Sequence, residues 1–165
     1  YYYYYYYYCH HYHYYFTATT TATTIHSNIF TTAAALMSAN ELRRAADKGD
    51  VAAVERLINE GADVHAVDRD GWTALHLAQN DKVAKALLAA GVKLNVQDKD
   101  GRSALHWAIL YNRCDVIDVL VDAGVDTTVC NDDGLTPREY GVKHGMTAAV
   151  AALDAGLAAR EAERN

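Results

Sequence analysis

Two histidines stand at matching places in this chain, His76 in Thr73-Ala74-Leu75-His76 and His106 in Ser103-Ala104-Leu105-His106, 30 residues apart. Imidazole titrates near neutrality and is a common nitrogen ligand of metals, so the pair raises both acid–base and zinc chemistry. Equivalent positions on successive packed helices lie about 8 to 10 Å apart. Two ligands of one zinc each sit about 2 Å from it, so His76 and His106 cannot share a metal. Cys9, His10, His11 and His13 have the right ligand types but the wrong arrangement. Neighbours on an extended chain point opposite ways, and no second ligand pair closes the shell.

The remaining chemistry is sparse. Cys114 has no strained Gly-flanked turn and no recognisable base partner, and reads as a small buried or half-buried side chain at a helix start. No phosphate loop, dinucleotide fingerprint, His-Glu-x-x-His or paired-carboxylate arrangement occurs. The many aspartates recur in turns, where Asp bonds its own backbone. The expectation is a non-enzyme with no catalytic residue, no metal and no cofactor.

The 165 residues carry 15 basic and 21 acidic side chains, a net charge of −6. That balance lacks the basic face that nucleic-acid binding requires. No run of about 18 to 20 apolar residues is present to cross a bilayer. Three cysteines, Cys9, Cys114 and Cys130, are too few and too scattered to frame a disulfide-built fold, so reduced thiols in the cytoplasm or nucleus are expected. The average conceals two unlike segments. Residues 1–36 hold 11 of the 13 Tyr and none of the charged side chains. Their Tyr block and Thr/Ala run have neither helical nor alternating period, and they read as a low-complexity tail, disordered or a gene-model artefact. One repeated triplet read in two frames encodes Tyr and then Thr, which makes Met37 the expected start. No secretory or transit signal is recognisable there.

A repeat fills the remainder. Asp70-Gly71-Trp72-Thr73-Ala74-Leu75-His76-Leu77-Ala78 returns as Asp100-Gly101-Arg102-Ser103-Ala104-Leu105-His106-Trp107-Ala108, then in degraded form as Asp133-Gly134-Leu135-Thr136-Pro137. The glycines fall 30 and then 33 residues apart. In phase with these run Leu57-Ile58-Asn59-Glu60-Gly61, Leu87-Leu88-Ala89-Ala90-Gly91 and Leu120-Val121-Asp122-Ala123-Gly124. Leu105, Ala108 and Ile109 make one helical stripe capped by Ser103; Ile117, Leu120 and Val121 make a second, ended by Gly124. The polar stretch 126–134 is the loop to the next unit. Ser38 and Glu41 precede Leu42, Ala45 and Ala46 as a capping box that opens the first unit, and Val54, Leu57 and Ile58 form its second helix. Two short helices cannot bury both their faces alone, so the units must stack.

These motifs and their period resemble the ankyrin repeat family, with its Asp-x-x-Gly-x-Thr-Pro-Leu-His-x-Ala signature and Gly-closed second helix. The resemblance implies an all-α ankyrin solenoid of helix-turn-helix units with protruding β-hairpin loops. Four repeats are expected over 38–157 (38–67, 68–97, 98–130 and 131–157), with 158–165 a helix end or tail. It also implies that His76 and His106 are structural imidazoles tying loop to helix. The second repeat lacks three residues between Ala78 and Leu87, so its first helix or its turn must be short. The fourth has Arg138 where the pattern has Leu and Gly141 where it has Ala, which reads as a terminal cap with Pro137 at its first helical position.

By resemblance, partners bind on the concave helices and hairpin tips. Trp72, Arg102 and Leu135 follow the loop glycines, Leu110 and Tyr111 end a first helix, and Arg69, Asp70, Lys99, Asp100, Asp132 and Asp133 form the loop tips. Trp, Tyr and Arg are the residues that most often anchor interfaces. Trp107 and Tyr111 could instead fill gaps between repeats. Asn95 resembles the asparagine that some ankyrin repeats offer to hydroxylation, with Lys93 in place of the usual acid before it. The expected function is a monomeric, non-catalytic protein-binding module, an adaptor or regulatory subunit, with a protein partner and neither nucleic acid nor membrane. The alternative is the substrate-recruiting domain of a larger enzyme.

Overall fold

The computed structural model describes residues 37–164, which hold seven helices and no strand. Helix α1 covers 37–48, α2 Val51–Asn59, α3 Asp81–Ala89, α4 Ala104–Leu110, α5 Cys114–Asp122, α6 Pro137–Lys143 and α7 Thr147–Arg164. The Cys9, His10, His11 and His13 group lies outside the described residues. Met37 and Ser38 are already helical. An N-cap residue stands outside its helix, so Ser38 does not fill the capping place expected of it.

Each pair of helices contributes apolar stripes to one continuous core. Leu42, Ala45 and Ala46 of α1 join Val54 and Leu57 of α2, then Val83, Ala84 and Leu87 of α3, Leu105, Ala108 and Ile109 of α4, and Ile117, Leu120 and Val121 of α5. Ala149 and Leu153 of α7 close the series. Because each stripe is completed by the next unit, the core is a property of the stack and not of any one repeat.

The second repeat shows where its three missing residues were taken. In place of a first helix, residues 74–77 form a turn in which Leu77 N–H donates to the Ala74 carbonyl at 3.2 Å and Ala78 N–H to that of Leu75 at 3.3 Å. In the third repeat the Ala108 carbonyl is satisfied locally, by Arg113 N–H at 2.8 Å. The equivalent Ala78 carbonyl lacks such a partner and accepts Arg113 Nη1 from the next repeat at 3.0 Å. Asn80 then opens α3, accepting from Val83 N–H at 2.9 Å and donating to the Gly49 carbonyl at 3.1 Å. A truncated unit is thus completed by its neighbours.

The loops between units are closed by side chains and not by strand ladders; Gln97 and Ser103 form an isolated β-bridge. Asp98 Oδ1 accepts from Asp100 N–H at 3.0 Å and Arg102 N–H at 2.9 Å. Asp68 does the same for Asp70 and Trp72, and Asn131 for Asp133 and Leu135. Adjacent tips are also joined, Lys99 N–H to the Asp70 carbonyl at 2.9 Å and Asp132 N–H to that of Asp100 at 3.0 Å. Gly101 has φ +71°, and a Cβ there would stand 2.8 Å from Asp132 N, so both conformation and spacing demand glycine.

The fourth repeat departs from the pattern for physical reasons. A Cβ on Gly141 would meet Ile109 Cγ2 and Val150 Cγ2, both at 2.6 Å, so α6 crosses α4 and α7 too closely for the alanine of the pattern. Arg138, in place of Leu, forms a two-pronged pair with Asp154 at 2.8 Å on the exposed side of the unit. Residues 158–164 continue α7, with Arg160 Nη1 donating to the Val121 carbonyl at the end of α5 at 2.7 Å. Gly141→Ala is expected to overpack the α4/α6/α7 crossing and lower stability by about 1–3 kcal/mol in urea unfolding, despite its higher helix propensity.

Candidate partner-binding face

The imidazoles are the frame of the site. Nδ1 of His106 lies 3.2 Å from Ser103 N and 3.0 Å from Ser103 Oγ, while Nε2 lies 3.1 Å from the Leu135 carbonyl of the next repeat. A backbone N–H can only donate and a carbonyl only accept, so the ring carries its proton on Nε2 and is neutral. His76 repeats this with Thr73 N at 3.1 Å, Thr73 Oγ1 at 2.8 Å and the Arg102 carbonyl at 3.3 Å. Each imidazole thus closes the start of its own unit, the turn at 74–77 for His76 and α4 for His106, and bonds the loop of the following unit.

Arg102 carries that link onto the surface. Its guanidinium pairs with Asp98, Nε to Oδ2 at 3.1 Å, and with Asp100. The Asp98 side chain is 1% exposed, and Oδ2 also accepts Trp107 Nε1 at 2.8 Å and Trp72 Nε1 at 3.2 Å. Burial alone would raise the Asp98 pKa. The Arg102 N–H, the Trp107 indole, the Asp100 N–H and the Arg102 charge outweigh it and hold the carboxyl below its usual range.

Around this carboxylate the aromatic side chains form a ladder. Trp72 meets Trp107 edge to face, with centroids 4.7 Å apart at 68°, and Trp107 stacks on Tyr111 at 5.5 Å and 14°. The Arg102 guanidinium lies 4.4 Å from the Trp107 centroid and that of Arg113 4.8 Å from the Tyr111 centroid. Trp107 is buried, whereas Tyr111 is 56% exposed. Beside the ladder opens a cleft of about 330 Å3 lined by Trp72, Leu77, Tyr111, Arg113, Asp47 and Gln79, among others.

The expected binding residues divide accordingly. Trp72, Arg102 and Tyr111 come together around Trp107. Arg69, Asp70, Lys99, Asp100, Asp132 and Asp133 are exposed on the tips, where Lys99 pairs with Asp70 at 3.5 Å and Lys143 with Asp133 at 3.2 Å. Leu110 and Leu135 are half-buried, and Leu135 enters through its carbonyl. Asn95 is exposed, its Oδ1 accepting Asp126 N–H at 3.1 Å. Asp98 and Arg113 were not singled out by sequence spacing. The available signals were the loop carboxylate repeated at Asp68 and Asp98 and the three-residue deficit of the second repeat.

A family model for ankyrin repeats (3 copies) matches residues 42–131 and 84–157. The chain belongs to the ankyrin repeat family. A putative ankyrin repeat protein of fowlpox virus is 34% identical over 108 residues, 62% of this chain and 18% of that protein. A mitochondrial disaggregase of Bos taurus is 50% identical over 58 residues, 33% of this chain and 9% of that protein, and an integrin-linked protein kinase 1 of Arabidopsis thaliana is 51% identical over 43 residues, 26% and 9%. The chain therefore spans less than a fifth of the length of these relatives. Ankyrin repeats are protein–protein interaction modules, generally non-catalytic. Among the described residues no three His, Cys, Asp or Glu are grouped to hold a metal, and no helix is long and apolar enough to cross a membrane.

Two outcomes follow from this ankyrin geometry. Burial holds both imidazoles below their ordinary pKa of 6.5, against the raising influence of the bonded carbonyls and Asp98. From about pH 6.5 downward the unfolded chain binds more protons than the folded one, so stability falls with acidification in that window. The folded pKa of Asp98 lies below 3.8, so its contribution persists to about pH 4 and is lost only beneath it. Urea midpoints between pH 7.5 and 5 should fall in the native chain and fall less steeply in His106→Asn. Asp98→Ala leaves Arg102, two indoles and two loop N–H groups without their acceptor and should lower stability by about 3–5 kcal/mol at pH 7, measured by denaturant unfolding.

Proposed function

We propose that this chain is a non-catalytic adaptor or regulatory module that binds a protein partner on the face formed by Trp72, Arg102, Leu110, Tyr111 and Leu135 and the neighbouring tips Arg69, Asp70, Lys99, Asp100, Asp132 and Asp133. The observation that carries the reading is Tyr111. A large aromatic ring more than half exposed is held between Trp107 and a guanidinium, so little rotamer freedom remains to be lost on binding. Rigid aromatic and Arg side chains over a cleft are the composition of interface hot spots.

Trp72 is a poor residue for testing this, because its indole also donates to the buried Asp98 and its removal would disturb the domain. Tyr111→Ala removes exposed surface and leaves the hydrogen bonds of the frame intact. Affinity purification with the full chain and this variant, read by mass spectrometry, should show a specific partner lost from Tyr111→Ala while the melting temperature stays within about 2 °C. Capture unaffected by Tyr111→Ala would refute the face.

A further inference from the structure

The cleft beside the ladder contains an arginine with no carboxylate in contact. Arg113 Nη1 donates to the Ala78 carbonyl, and the guanidinium forms no ion pair among the described residues. It is half-buried, packed over Tyr111. Arg102, the other cation of the ladder, is by contrast neutralised by Asp98 and Asp100. Burial pushes the Arg113 pKa down, against Tyr111, Asp47 and Asp115, so this cation has lost water without gaining a contacting anion.

We propose that the cleft takes an acidic peptide segment of the partner, with an Asp or Glu carboxylate bound by the Arg113 guanidinium and a neighbouring apolar side chain laid between Trp72 and Leu77. The inference rests on the partner-face reading above and names the chemistry of the occupant. A guanidinium fork matches a carboxylate in two parallel hydrogen bonds, and the pairing is strongest where water is thin. A basic segment fits poorly. Trp107 already carries Arg102 and Tyr111 carries Arg113, so a Lys or Arg arriving at either ring would meet like charge. Asp47, also on the cleft, accepts Gln79 Nε2 at 3.3 Å and leaves room for a peptide N–H donor. Its presence favours one carboxylate at Arg113 over a run of acids.

The test pans displayed random short peptides against the full chain and measures an enriched peptide by fluorescence anisotropy. Enriched sequences are expected to place Asp or Glu within two positions of a Leu, Pro or aromatic residue, and Arg113→Gln should weaken binding about tenfold or more. Gln ends two bonds short of Nη1, so the variant also loses the contact to the Ala78 carbonyl. If that variant fails to melt cooperatively, Arg113→Lys, which keeps the charge and loses the fork, should give an intermediate loss. Peptides that depend on Tyr111 but carry no acid, or whose affinity ignores Arg113→Gln, overturn the acidic assignment and leave the face standing. If no enriched peptide responds to Tyr111→Ala, or none is enriched, both readings fall.

Discussion

The bond from the His76 imidazole to the Arg102 carbonyl is the contact on which the rest of this stack depends. It crosses from one repeat to the next and requires a proton on Nε2, while the Thr73 N–H donated to Nδ1 keeps the ring neutral. That one geometry closes the start of the second repeat and holds the backbone of Arg102 while its side chain turns toward Asp98. His106 repeats the bond one unit later, to Leu135. Unit spacing along the stack is therefore set by buried hydrogen bonds as well as by apolar packing, and each costs the desolvation of a polar group if left unmade.

The aromatic face is a consequence of that alignment. Asp98 sits under it as an almost fully buried acceptor, and its two oxygens gather loop N–H groups, an arginine and two indoles from two repeats. A buried carboxylate is tolerable only when so fully partnered. The result is a rigid ladder from Arg102 through Trp107 and Tyr111 to Arg113. Rigidity matters for recognition, since ordering of side chains is part of the free energy that association must overcome.

Much of this was legible in the sequence, and the reasons for the remainder are physical. Period, the Gly-closed second helices, Ser103 as a helix start and the stripes through Leu105 and Ile117 are local patterns set by helix geometry. The three-residue deletion after Ala78 correctly located the shortened unit. Contacts between repeats were not legible. The Trp72 indole meets Asp98 across 26 residues and Arg113 meets Ala78 across 35. Such pairs depend on how two units are set against each other and on rotamers, which spacing does not encode. Trp107 illustrates the difference: its place in the repeat suits a gap filler or an anchor, and it is both buried and the centre of the ladder. Ser-x-x-Glu also occurs inside helices, and Ser38 stands already within α1, not at the place before its first turn.

The claim that neutral imidazoles join the repeats can be examined without a partner. Long-range 1H–15N correlation spectra of the full chain at pH 7 report which nitrogen of each imidazole carries the proton. His76 and His106 are predicted to be neutral with the proton on Nε2, because each Nδ1 faces a backbone N–H and each Nε2 a carbonyl. A neutral ring with its proton on Nδ1 at either buried position would contradict the inter-repeat bonds and the alignment of the face built on them, and a cationic ring would contradict the Thr73 and Ser103 N–H bonds into Nδ1.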